Sequence, residues 1–138
     1  DTGAASVAFS PTARAFLTGQ VRDVSTLDAK DIRRSMPRFA PETYARNLAL
    51  LPPYEALARE AGCTPVQLAL AWLLSRGEHV IPLPGTTSLA HLHENVGAWD
   101  LQLPASVLAR ADALINQHTV TGGRYGAQSE SEVDTERF

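Results

Sequence analysis

His79-Val80-Ile81-Pro82-Leu83-Pro84-Gly85-Thr86-Thr87-Ser88 reads as a short buried strand, a tight turn and a fresh helix start. The run 79–83 is continuously apolar, the pattern of a strand in a parallel sheet with both faces covered. Pro84 and Gly85 break it, and Ser88 suits a helix cap. The N–H groups at a helix start are unpaired and point outward, so such a place can hold a phosphate. Gly85 lets a ligand approach the backbone, and Thr86, Thr87 and Ser88 add hydroxyls. An ordinary N-cap calls for the same residue types, and one set of N–H groups can be capped when empty and bind an anion when filled. Glu94 and Asn95 follow within two helical turns. An acceptor beside an amide can read the amino edge of a purine, or simply face solvent.

Upstream, Ser6 to Ser10 lies between Gly3 and Pro11 and reads as a first strand. It begins so near residue 1, without neighbours for its edges, that a cut through a larger fold is expected. Ser10 to Gly19 then follows a strand's C-terminal end, where βα folds bind ligands, although a plain βα turn fits the same residues. Residues 20–38 are polar and irregular. Helix is expected over 41–51, broken at Pro52-Pro53 and restarted over 54–61, with Gly62 as its stop. Thr64-Pro65-Val66-Gln67 is a capping box that opens a helix to Arg76, apolar nearly all round. Helices over 88–96 and 104–117 follow. The tail 119–138 is expected to be loose, above all after Tyr125. Strands alternating with helices mean parallel βαβ units, yet two strands cannot cover the helix 65–76. More sheet, from this chain or another, is expected.

Composition sets the remaining bounds. The 138 residues suit one domain or a piece of a larger one, and 44% hydrophobic with 20% charged is an ordinary globular balance. A net charge of −3 argues against a general nucleic-acid binder. Lys30 is the only lysine; the other cationic residues are arginines. The single cysteine, Cys63, excludes an intrachain disulfide, and His79, His91, His93 and His118 show no metal spacing. No run approaches the roughly 18 apolar residues of a membrane span. Asp1 to Ala5 has no signal-peptide pattern, so a cytoplasmic protein is expected.

Ser10-Pro11-x-x-Arg14-x-Phe16-Leu17-Thr18-Gly19, then Asn47-Leu48-Ala49-Leu50, then Gly62-Cys63-Thr64-Pro65-Val66-Gln67-Leu68-Ala69-Leu70-Ala71-Trp72, then Ile81-Pro82-Leu83-Pro84-Gly85-Thr86, then Leu92-His93-Glu94-Asn95-Val96-Gly97-Ala98 resembles the C-terminal part of a bacterial aldo-keto reductase. Gly123-Arg124-Tyr125 is similar to that family's ending. The resemblance implies an α/β fold: an incomplete, helix-rich C-terminal part of a (β/α)8 TIM barrel spanning 1–138, with 6–10 as the seventh strand and 79–83 as the eighth. It implies hydride transfer from NADPH to an aldehyde or ketone. By the family pattern Ser10, Thr12 and Arg14 lie along the pyrophosphate. Gly85, Thr86 and Thr87 meet the adenosine 2′-phosphate region, with His91 where a longer Arg, Lys or Tyr often sits. Glu94 and Asn95 take the adenine amino group, and 20–38 resembles the loop that closes over the cofactor.

The sequence departs from that pattern in three places. The family's catalytic Asp, Tyr, Lys and His lie on earlier strands and have no counterpart here; Tyr44, Tyr54 and Tyr125 are neither at strand ends nor near Lys30. Positions 87–90 read Thr-Ser-Leu-Ala, without the usual basic cluster, which leaves NADH as an alternative cofactor. Ala13 and Ala15 stand where glycines are usual. The expected function is therefore the cofactor-binding part of a reductase, not catalytic by itself, whose carbonyl substrate binds only in a complete barrel. The alternative is a stand-alone, non-catalytic remnant that self-associates through exposed barrel surfaces. Neither reading involves nucleic acid or a membrane.

Overall fold

The structure, a computed structural model, describes residues 3–132. Strand β1 (Ser6–Phe9) leads through a long irregular segment into helices α1 (Pro41–Leu48), α2 (Leu51–Glu60) and α3 (Pro65–Leu74). Strand β2 (Val80–Leu83), α4 (Leu89–Val96), α5 (Ala105–Leu114) and a short α6 (Ala127–Glu132) complete it. The two strands are parallel and in register, Ser6 opposite Val80 through Phe9 opposite Leu83. Helices lie between the strands in sequence, as a parallel pair requires. Pro82 cannot donate to a ladder, which suits an edge strand. The result is a mixed α/β, helix-rich partial fold.

The core lies on the helix side of the sheet. Leu51 and Leu57 of α2, Leu68 of α3, and Val107 and Ala111 of α5 pack with Phe16, Leu17, Phe39 and Tyr44. Tyr44 anchors the aromatic part, edge-on to Phe16 at 5.9 Å and stacked on Phe39 at 5.1 Å. Val66, Leu70 and Ala98 form a second cluster that seats α4 on α3. The far face of the sheet is open: Val7, Phe9, Ile81 and Leu83 are 56, 48, 49 and 59% exposed. The continuous apolar run thus forms a strand as read, but here it is covered on one face alone.

Several boundaries differ from the sequence reading. The break between α1 and α2 falls at Ala49–Leu50, so Pro52 and Pro53 sit inside the first turn of α2. First-turn N–H groups have no helical partner in any case, so proline costs little there. The helix after Thr64 ends at Leu74 and that after Pro104 at Leu114, each short of the expected end. The segment 20–38 is wound into successive 3-10 turns, Val24–Thr26, Ile32–Ser35 and Pro37–Phe39, the first two opened by Asp23 and Asp31 side chains that accept backbone N–H groups. Of the tail expected to be loose, 127–132 is helical and 133–138 lies outside the described residues.

Candidate cofactor site

The loop after β1 carries unusual backbone geometry. Ser10, Ala13, Arg14 and Ala15 have φ of 51, 51, 55 and 67°. For L-residues the left-handed region costs about 1–2 kcal/mol per residue. Ala13 to Ala15 is thus a left-handed turn built without glycine. Gly19, at φ 71°, ends the following turn, and a Cβ there would collide with the Glu55 carboxylate. Local hydrogen bonds offset part of the strain: Ala13 N–H donates to Ser10 O, Leu17 N–H to Thr12 O and Phe16 N–H to Ala13 O, at 2.9, 3.1 and 3.1 Å.

After β2 the chain turns through Pro84 and Gly85 into α4. The Ser88 N–H donates to Thr86 Oγ1 at 3.0 Å, and Ser88 Oγ accepts from the His91 N–H at 3.4 Å. The helix start is therefore capped by its own hydroxyls. The long His91 bond leaves that N–H weakly held. A Cβ at Gly85 would meet nothing within 4 Å, so the backbone there is open.

Both loops border one cavity of about 340 Å³. Ser10, Thr12, Arg14, Gly85, Thr86, His91, Glu94 and Asn95 all line it. Thr87, the remaining residue assigned from the sequence, is exposed and does not line it, because the turn places Thr86 on the cavity side. Thr18 and Gln20 also contribute; only their position beside Gly19 could have signalled them. Among the described residues the Arg14 guanidinium has no ion-pair or hydrogen-bond partner. The donor set is one free guanidinium, hydroxyls, helix-start N–H groups, an imidazole, a carboxylate and an amide. That set fits a phosphorylated purine nucleotide.

The segment 20–38 meets this cavity at Gln20 alone. The rest is strapped elsewhere. Arg22 bonds the Gly19 carbonyl at 2.7 Å and pairs with Glu55. Tyr44 Oη donates to Val21 O at 2.6 Å, and Arg33 Nη1 donates to Arg14 O at 3.2 Å. The expected closing loop is thus folded against α1 and the aromatic cluster.

No proton donor faces the cavity from the tyrosines. Tyr44 and Tyr54 are buried, with hydroxyls committed to the carbonyls of Val21 and Pro65; burial raises the Tyr44 phenol and pushes that of Tyr54 well above the usual range. Burial also raises the half-buried Cys63 thiol and keeps it protonated. Among the described residues no three His, Cys, Asp or Glu side chains group to hold a metal. No helix among them is long and apolar enough to cross a membrane.

The profile of the Aldo/keto reductase family matches residues 1–116. The chain belongs to the aldo-keto reductase family. It is 36% identical over 131 residues to the aldo-keto reductase yakc [NADP(+)] of Schizosaccharomyces pombe, covering 94% of this chain and 38% of that protein. It is 30% identical over 135 residues to the aldo-keto reductase str7 of Strobilurus tenacellus, covering 98% of this chain and 40% of that one. The chain thus spans about two fifths of the length of these aldo-keto reductases.

Proposed function

We propose that this chain is the cofactor-binding, C-terminal part of an NADP(H)-dependent aldo-keto reductase barrel, with β1 and β2 as its last two strands. The observation that carries the reading is one cavity that gathers residues from two loops more than sixty positions apart. Ser10, Thr12 and the unpaired Arg14 guanidinium hold the pyrophosphate. Gly85 and Thr86, with Thr87 at the outer edge and His91 on the first turn of α4, take the adenosine 2′-phosphate region. Glu94 accepts from the adenine amino group, and Asn95 completes the contact. The bound nicotinamide supplies hydride to an aldehyde or ketone. Among the described residues no tyrosine lines the cavity, and the catalytic Asp, Tyr, Lys and His implied by the resemblance have no counterpart, so 1–138 alone is expected to bind without reducing. NADP(+) in the name of the yeast relative supports the phosphorylated cofactor; one arginine and one histidine in the cavity leave NADH as the weaker ligand. The cytoplasmic location and the barrel's small carbonyl substrate belong to the same proposal.

Isothermal titration of the full chain with NADP+ and NAD+ tests it. Saturable NADP+ binding, lost in Arg14→Ala, is expected; a folded chain that binds neither dinucleotide overturns the reading. Adding an aldehyde and NADPH should give no oxidation, and measurable turnover would place catalytic groups within these residues. The open sheet face favours a second reading, a non-catalytic remnant that assembles with itself. Self-association without dinucleotide binding would select it.

A further inference from the structure

The left-handed turn needs a restraint that local bonding does not supply. Ala13, Arg14 and Ala15 are consecutive, non-glycine and all at positive φ, and such geometry persists only where its surroundings over-determine it. The carbonyls on either side are served from within the loop: Ala13 O by the Phe16 N–H at 3.1 Å, and Ala15 O by Thr18 Oγ1 at 2.7 Å. The Arg14 carbonyl is served from outside it, by Arg33 Nη1 at 3.2 Å. That guanidinium has little freedom. Its Nε and Nη2 donate to the two Asp31 oxygens at 2.9 and 2.6 Å, and Asp31 Oδ1 also accepts the Arg33 backbone N–H at 3.0 Å. Both side chains are largely buried, 19 and 20% exposed. A planar fork fixed on two sides leaves one donor aimed at a single carbonyl.

We propose that Arg33, oriented by Asp31, is a positioning residue for the dinucleotide site: its bond to the Arg14 carbonyl holds the left-handed turn in the shape that presents Arg14 to the cavity before ligand arrives. The inference rests on the reading of that cavity as a dinucleotide site. Without Arg33 the turn relaxes, and the cost of ordering it falls on binding.

The test titrates NADP+ into the full chain and four variants: Arg33→Ala, Arg33→Lys, Asp31→Asn, and Arg33→Ala combined with Ala13→Gly and Ala15→Gly. Arg33→Ala should weaken binding about tenfold, the size expected for one lost charged hydrogen bond. Arg33→Lys should recover part of the loss. Asp31→Asn keeps the guanidinium but frees its aim, and should lose about threefold. The glycines make the left-handed turn accessible without a restraint, so the triple variant should return to within about threefold of the parent. A restraint that merely stabilised the fold would not be rescued by glycines in another loop. Binding unchanged in Arg33→Ala, or a loss the glycines do not recover, overturns the proposal. If Arg33→Ala does not fold, Asp31→Asn with and without the two glycines decides by the same criterion. A parent chain that binds no NADP+ overturns the site reading instead, and amide exchange across Arg14–Leu17 then still reads Arg33: faster in Arg33→Ala supports the restraint, unchanged removes it.

Discussion

Asn47 is buried to 3% exposure and spends its amide on backbone alone. Nδ2 donates to Arg38 O and Thr121 O at 3.2 and 2.9 Å, and Oδ1 accepts the Thr121 N–H at 2.8 Å. It joins the end of the 20–38 segment to the chain after α5. Asn47→Ala strands buried backbone groups on both sides and should cost about 2–3 kcal/mol, read by urea denaturation. Asp31 carries a pH signature. The Arg33 side chain beside it, then the Arg33 backbone N–H, hold its carboxyl at about 2, below the ordinary 3.8. A depressed carboxyl stabilises the fold above its unfolded value, and the contribution disappears as pH falls through the folded one. Between pH 4 and pH 2 the parent should therefore lose stability more steeply than Asp31→Asn; parallel acid denaturation curves would contradict this. That the two loops lie together was legible because motif order put both at strand ends, although Thr87 falls outside the cavity and Thr18 and Gln20 were not foreseen. Arg33 was not, because its target is a carbonyl exposed by a turn of alanines whose positive φ no residue type announces.

The helices were legible at their starts more than at their ends. Thr64 and Gln67 form the full capping box: Thr64 Oγ1 accepts the Gln67 N–H, and Gln67 Oε1 accepts the Thr64 N–H, both at 3.1 Å. Gln67 also donates Nε2 to Glu94 O at 3.1 Å and so steadies the end of α4 that carries Glu94 and Asn95. Thr64→Ala should lower stability by about 1 kcal/mol in thermal denaturation. Gln67→Ala should do the same and also weaken NADP+ binding, since it releases α4; a loss of stability with unchanged binding would mean that α4 needs no such hold. Pro52-Pro53 misled the reading of α1 and α2 because a proline pair marks either a break or a first turn, and the choice depends on where Leu51 is buried. On α4, Leu89, Leu92 and Val96 share a face as the spacing says, but that face is exposed, together with Trp99. Periodicity reports which residues align, not what covers them.

As a whole molecule the chain shows a built core and an unfinished sheet. The apolar sheet face and the α4 stripe both lie exposed, and exposed apolar patches mark association surfaces. The polypeptide 1–138 should self-associate, with sedimentation coefficients rising with concentration. Phe9→Ser with Leu83→Ser should reduce that trend while leaving the helix-side core intact; a parent monomeric at all concentrations would contradict the expectation. More sheet is expected from the sequence because two strands cannot cover the helix opened by Thr64. Helices α2 and α4 help cover it, no residue of α3 is exposed, and the open surface is the far face of the sheet instead. That geometry was not legible, because the pairing that leaves one edge of each strand open is a tertiary fact.

Those two edges have a consequence for symmetry. β1 and β2 run in the same direction, so the free edge of one is not the two-fold mate of the free edge of the other. A copy that adds in the parallel sense, β1 against its neighbour's β2, uses one edge and presents a new one. Such contacts are heterologous: they propagate head to tail, and they stop only if the rotation at each joint brings the last copy back to the first.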